Sequence, residues 1–432
     1  MEATSNTTEL LFVATSDISA RAKGRAMLMS DYSPKSSLGW VPANLGIGAL
    51  GHIAPGSAFG SSGDLRLRPD PTSLSTIKTP MHTVNIVLAD LVEPDGKEWS
   101  SCMRTFLKRA VNDLADYGLR ATVAFEHEFM DTSQSTEHHP FSLRDFRRAE
   151  PIGTQLMNIA KEAGLEPETW LPEYGKHQFE MTLRPADPVT AADRAIVLRE
   201  LIHDVFEQAE RNVSFSPLVS PDSVGNGVHV HFGLTDLMGK PVCFDPAQPG
   251  RLSKKAAQFA AGIIKYAPAF SALCAPLTIS YKRLVPNNWS TARVYLGLNN
   301  REALLRIPST NELYGRDPAP QLHFEYRASD IGANPWLLIG SILRAGMQGL
   351  HEQLPPEPVI EGELDLDGEH KDFAQLPHSL PAALTELSEN EIVKSWFSQE
   401  FLSTFLAIKR DECEALQGLS LAQQCEVYSR VY

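Results

Sequence analysis

The stretch Ala-Thr-Val-Ala-Phe-Glu-His-Glu-Phe-Met, residues 121–130, decides how this chain is read. As a strand it alternates: Val123, Phe125, His127 and Phe129 share one face, while Thr122, Ala124, Glu126 and Glu128 share the other. Two carboxylates then stand about 6–7 Å apart on one side. Like charges that close repel unless a cation sits between them or their pKa values part. The stretch therefore predicts one wall of a metal site, and the rest of the chain must supply the others.

Three later stretches carry the same phase. In residues 178–183, Gln178, Glu180 and Thr182 oppose Phe179, Met181 and Leu183. Gly225-Asn-Gly-Val-His-Val-His-Phe-Gly is a glycine turn entering a strand, with His229 and His231 together on one face. In residues 321–328, His323, Glu325 and Arg327 oppose Phe324 and Tyr326. Glu173 lies in the loop before the second of these strands. Any one of these positions alone reads as an ordinary solvated or structural residue, but the four phases agree. A set of carboxylates with one or two imidazoles suits a hard cation, Mg²⁺ or Mn²⁺, rather than a thiolate metal. Arg283, Arg301, Arg306 and Arg327 are suited to forked binding of phosphate or carboxylate. Together these are the parts for phosphoryl transfer from ATP, although the chain has neither a Walker A loop nor a Gly-x-Gly-x-x-Gly after a strand. Arg301 and Arg306 would face opposite sides of an ideal strand, so a bulge or strand end must separate them.

The wider chain frames this set. Its 432 residues exceed one ordinary core, which predicts two domains. Residues 1–95 are rich in Gly, Ser and Pro, with strands at 10–15 and 81–88 and a glycine-rich loop at 46–64. Helices are expected over 102–117 and 151–163, and in one opened by Thr190 and Asp193 as a capping-box-like pair. The last 50 or so residues carry helical periodicity. A net charge of −14 argues against a nucleic-acid surface, and the chain has no apolar run of membrane-spanning length. The acidic N-terminus is not a secretory signal. Five scattered cysteines without a Cys-x-x-Cys pair read as free thiols in a reducing cytoplasm.

At these residues the chain resembles the glutamine synthetase superfamily. The motifs run in order: Glu126-His-Glu128; Glu173 with Gln178-Phe-Glu180; Gly225-Asn-Gly-Val-His229-Val-His231; Tyr-Lys-Arg-Leu-Val-Pro at 281–286; Asn-Arg-x-x-x-x-Arg-Ile-Pro at 300–308; Glu325-Tyr-Arg327; and Ala-Asn-Pro-Trp at 333–336. The resemblance implies an α+β fold. An N-terminal β-grasp domain would occupy residues 1–97, and residues 98–432 would form a catalytic domain on a curved antiparallel sheet with helices. It further implies that Glu128, Glu173 and Glu180 hold one metal and Glu126, His229 and Glu325 a second. Arg283 and Arg327, with Gly225, would bind the substrate acid. Arg301 and Arg306 would face the ATP phosphates, with His231 and His323 also on the nucleotide side. The catalytic roles would fall to Arg301, Arg306 and Arg327. Hexameric rings stacked as a dodecamer are implied, with Phe59 and Asp64 reaching a neighbour's site.

The departures are specific. Trp289 stands where the family carries a glutamate that helps bind ammonium, and Phe59 where it carries the aspartate that deprotonates ammonium. His323 replaces an arginine, Val224 an asparagine that helps hold glutamate, and Glu352 the adenylylated tyrosine. Two aromatics in place of two acids suit an apolar or aromatic amine, or cation–π contact with an alkylammonium. The expectation is thus an ATP-dependent ligase that makes a γ-glutamyl amide from an amine larger than ammonia. A true glutamine synthetase is the alternative, and a non-catalytic relative a third.

Overall fold

The structure, a computed structural model, describes residues 8–285, 293–364 and 373–432. The fold is α+β. The N-terminal part is a six-stranded sheet built from Leu10–Ser16, Ala22–Leu28, Leu38–Trp40, Leu65–Pro69, Ser75–Lys78 and Thr83–Val92. Its central strand, Thr83–Val92, is buried over most of its length and pairs with three neighbours, which is why it reads as a continuous apolar run. Strands were expected at 10–15 and 81–88; the second starts two residues later and continues to Val92.

Thirteen residues, Leu119–Asp131, form the long strand at the heart of a nine-stranded sheet. Val228–Asp236 lies antiparallel on one side of it and Gln178–Leu183 on the other. Beyond Val228–Asp236 come Phe324–Tyr326 and Leu305–Ile307, also antiparallel. The far edge departs from expectation: Leu296–Leu298 runs parallel to both Leu305–Ile307 and Val359–Glu361, so the sheet is mixed. The expected strand at 321–328 shortens to Phe324–Tyr326 because the Gln321 side chain closes a turn, accepting from Asn311 N and donating to the Asn311 and Asp317 carbonyls.

The apolar face of the sheet packs on helices. Met103–Asp116 and Ile152–Glu162 sit close to where periodicity puts them. The helix expected to open at Thr190 and Asp193 is Pro188–Gln208. It is capped by Asp187, which accepts from Val189 N and Thr190 N. Asp193 is instead buried and accepts from Arg104 and from Trp336 Nε1 at 2.8 Å. Arg104 also reaches Asp90 at 2.8 Å and Asp70 at 2.9 Å, so one buried guanidinium ties the N-terminal sheet to the helices. Lys254–Cys274 crosses Pro335–His351 at glycines: a Cβ on Gly262 would stand 2.2 Å from the Ala345 carbonyl oxygen, so no larger residue lets these backbones meet. The C-terminal periodicity resolves into four helices between Leu380 and Ser429. No helix among the described residues is long and apolar enough to cross a membrane, and the five cysteines are free.

Candidate active site

Strand pairing brings the polar faces into register. Glu126 stands opposite His229, Glu128 opposite Glu180, and Glu325 opposite both His231 and Arg306. Antiparallel partners carry their side chains on the same face, so the shared phase in the sequence becomes one continuous polar floor. On the other face Phe125 and Phe129 are buried in the core.

The distances are short. His229 Nδ1 lies 3.0 Å from Glu126 Oε2 and 3.9 Å from both Glu128 and Glu325. His231 Nε2 lies 2.9 Å from Glu126 Oε1 and 4.0 Å from Glu325 Oε1. Glu325 is held by Arg306 at 2.6 Å and by Arg327. Glu128 accepts from the Gly227 amide at 2.6 Å, and Gln178 bridges the Gly225 carbonyl and Asn226. Glu173 accepts from the Tyr174 amide at 2.9 Å.

Charge parts the acids as the opening stretch requires. Burial, then the Glu126, Glu128, Glu173 and Glu325 carboxylates, push Glu180 up to about 10. Burial and Glu128 raise Glu173 to about 7. Burial also works against ionising Glu126, but its contacts with His229 and His231 outweigh that and hold it well below the usual range. Glu325, likewise buried, is brought down to about 2, chiefly by Arg327 and the two histidines. Burial lowers His231, but the Glu126 and Glu325 carboxylates turn the net shift upward.

This donor set fits a divalent cation. The groups Glu126, Glu180, His229 and Glu126, His231, Glu325 each bring one ligand atom within 4.8 Å of the others. His231 Nε2, buried and beside Glu126, has no aligned hydrogen bond among the described residues. Oxygen-rich donors of this kind suit Mg²⁺ or Mn²⁺. The grouping differs from the expected one: Glu180 joins Glu126 and His229, and His231 joins Glu126 and Glu325. Glu128 and Glu173 each give one carboxylate oxygen to a backbone amide, Gly227 and Tyr174 respectively, and Glu128 Oε1 remains 3.9 Å from His229 Nδ1.

The remaining expected residues fall as follows. Arg306 is on the strand Leu305–Ile307, and Arg301 is exposed in the turn before it, so a strand end separates the two. Arg283 is buried and donates to the Ser329 carbonyl at 2.8 Å; Arg327 donates to the Arg301 carbonyl. Gly225 is required by contact: a Cβ there would meet Arg283 Cγ at 2.2 Å. His323 hydrogen-bonds His231 at 2.9 Å, a link that separate stretches of sequence do not reveal. Phe59 is corrected. Its ring is 2% exposed, tilted against Trp99 at 5.0 Å between centroids, and so belongs to the core rather than to a surface that could enter a neighbour's site. Trp289 lies outside the described residues. A cavity of about 500 Å³ opens beside the polar floor, with Thr122, Glu126, Glu180, His231 and His323 in its walls.

A polar floor of carboxylates and imidazoles, bounded by arginines and open to a cavity of this size, can hold a divalent cation beside a phosphate- or carboxylate-bearing substrate. Residues 100–428 match the family model described as glutamine synthetase, catalytic domain, and the chain belongs to that family. It is 29% identical over 383 residues to the glutamine synthetase of Pyrococcus abyssi, covering 86% of this chain and 84% of the relative. It is 27% identical over 368 residues to that of Halobacterium salinarum, covering 81% and 79%. A crystal structure of a novel glutamine synthase homolog superposes with a TM-score of 0.92 at 36% identity, covering 98% of this chain and 99% of that one. A ligand-free GmaS shares the fold, with a TM-score of 0.81 at 23% identity over 97% and 96% of the two chains. The chain is therefore a member of the glutamine synthetase superfamily and an ATP-dependent ligase.

Proposed function

We propose that the amine is larger than ammonia and that the product is a γ-glutamyl amide. The observation that carries this is Phe59. The position where the family places its ammonium-deprotonating aspartate is here a hydrocarbon ring buried against Trp99, so it contributes no carboxylate to hold a small cation. Trp289, the second replaced acid, points the same way from sequence. An ammonium ion stripped of water needs such anions; an alkyl or aromatic amine gains instead from apolar contact.

The chemistry divides into two steps. The γ-carboxylate oxygen of glutamate attacks the γ-phosphorus of ATP, the β–γ bridging bond breaks, and ADP leaves. The amine nitrogen then attacks the acyl-phosphate carbon, the C–O bond to phosphate breaks, and the nitrogen gives up a proton. One hard displacement becomes two easier ones. Bound Mg²⁺ or Mn²⁺, held by Glu126, Glu128, Glu173, Glu180, His229 and Glu325, would offset the charge of the transferring phosphoryl group. Arg301 and Arg306 steady the phosphates, while Arg283 and Arg327 orient the acid. Rings of six subunits, paired as a dodecamer, are the assembly we expect.

The test is ADP release with glutamate, ATP and Mg²⁺ across ammonia, methylamine, longer alkylamines, polyamines and aromatic amines. A larger amine should exceed ammonia in kcat/KM by at least tenfold. The glutamine synthetases it matches in sequence make ammonia the competing reading. Fastest turnover with ammonia would decide for that alternative.

A further inference from the structure

We propose that His231 is a metal ligand in this chain and that His323 is the positioning residue that makes it one. The argument starts at a carbonyl. His323 Nδ1 lies 2.6 Å from the Gln321 carbonyl oxygen, which can only accept. His323 Nδ1 therefore carries the hydrogen. In the neutral ring the other nitrogen, Nε2, then holds a lone pair. That lone pair lies 2.9 Å from His231 Nδ1, so His231 must donate through Nδ1. The hydrogen of a neutral His231 is thereby placed on Nδ1, and its Nε2 is left with a lone pair.

The direction of that lone pair gives it a use. His231 Nε2 stands 2.9 Å from Glu126 Oε1 and 4.0 Å from Glu325 Oε1, in no aligned hydrogen bond among the described residues. With His231 neutral, three acceptors converge and repel one another, and a divalent cation satisfies all three. The same three residues form one of the two groups whose ligand atoms converge within 4.8 Å. An imidazole that ligates through one nitrogen while the other donates to a fixed acceptor is the usual arrangement at a metal, and losing that outer partner typically weakens metal binding about 10- to 100-fold. Here the outer partner is itself an imidazole, fixed in turn by a backbone carbonyl.

The inference rests on reading the polar floor as a metal site and is independent of which amine the enzyme takes. Its sharpest probe is His323→Arg. A guanidinium has donors only, so it would claim the Nδ1 lone pair of His231 and drive the hydrogen to Nε2. His323→Gln keeps an acceptor oxygen and serves as the conservative control. Mn²⁺ added to the full chain without nucleotide can be followed by EPR titration and by electron spin-echo modulation from ¹⁴N ligands. We expect His231→Ala and His323→Arg each to reduce the ¹⁴N modulation and weaken one Mn²⁺ site about tenfold or more, with His323→Gln close to the parent. Unchanged ¹⁴N modulation and affinity in His231→Ala would overturn the proposal, as would a His323→Arg protein that matches His323→Gln. If the parent binds no Mn²⁺, the metal reading falls and the proposal with it, an outcome distinct from Mn²⁺ binding that ignores His231.

Discussion

Glu180→Gln should make the metal-free protein more stable while destroying its use as a ligase. Glu180 faces Glu128 across the strand pair, with burial and four carboxylates acting against its charge. Its folded pKa is about 10 against an ordinary value of 4.5. Between those values the folded state holds more protons than the unfolded one, so stability falls as pH rises. At pH 8 the carboxyl lies about 3.5 pH units above its unfolded value. At about 1.4 kcal/mol per unit the upper bound on the destabilisation is nearly 5 kcal/mol. The open cleft admits water and salt, and about 2 kcal/mol is a sober expectation. The amide keeps the shape and has no charge to lose. Chemical denaturation of chelator-treated parent and variant at pH 5 and pH 8 measures the effect. The variant should lead by about 2 kcal/mol at pH 8 and by little at pH 5. Added Mg²⁺ should reverse the order, because the parent gains binding energy that the variant cannot. Equal stability at pH 8, or a gap unchanged at pH 5, would refute the account of the site as a cluster of mutually repelling acids.

Other perturbations follow from contacts already described. Gly225→Ala places a Cβ 2.2 Å from the root of the buried Arg283 side chain and 3.0 Å from the Pro217 carbonyl, so Arg283 must move; KM for the acid substrate should rise tenfold or more, and denaturant titration should show a loss of about 1–3 kcal/mol. Arg104→Met strands buried carboxylates at Asp90 and Asp193 and should cost about 3–5 kcal/mol by denaturant titration. In the parent, burial opposes ionisation of Asp90, but Arg104 and Lys108 hold its pKa below the ordinary value of 3.8. That share of stability is complete above 3.8 and lost as the pH falls through the folded value, and an acid titration of Arg104→Met should show a smaller loss there.

Much of the site was legible because a strand repeats every two residues. Glu126, Glu128, Glu180, His229, His231 and Glu325 declare a common face from phase alone, and the structure brings them to one floor. What phase cannot tell is which oxygen turns where. The Gly227 amide takes one oxygen of Glu128, and that contact joins residues 99 apart. The Asp187 cap was available in the text: Asp-Pro before a helical run is a start signal, with proline at the first helical position, and it outranks Thr190. The Arg104 cluster was not available, since Asp70, Asp90, Arg104 and Asp193 sit in four separate segments, each ordinary by itself. Nor was the parallel edge, where Leu296–Leu298 meets Val359–Glu361 across more than sixty residues. Phe59 shows the converse limit: sequence gives the substitution, and only packing reveals that the ring has turned into the core.

The strand that carries Glu126 and Glu128 makes an opposite demand on its other face. His127, between them, is fully buried, packs on Phe125 at 5.6 Å, and offers two ring nitrogens with no hydrogen-bond partner among the described residues. Burial, with the nearby Arg199 cation, drives its pKa well below 6.5, so the folded state keeps it neutral. The unfolded chain then binds the extra proton below 6.5, and stability falls as the pH drops through that value. His127→Leu removes both the unpaired polar atoms and the titration. It should stabilise the protein by about 1–2 kcal/mol at pH 7, more at pH 5, and flatten the acid side of the stability curve. Mg²⁺-dependent activity should survive, because the side chain points away from the metal floor. A destabilised His127→Leu protein would mean that the imidazole has a partner in solution, a buried water above all, and that the dry face of this strand is less apolar than its packing indicates. With Glu180→Gln the result would separate the two faces of the sheet: the polar floor losing stability to alkali through Glu180 and the dry face losing it to acid through His127, with the widest margin held between.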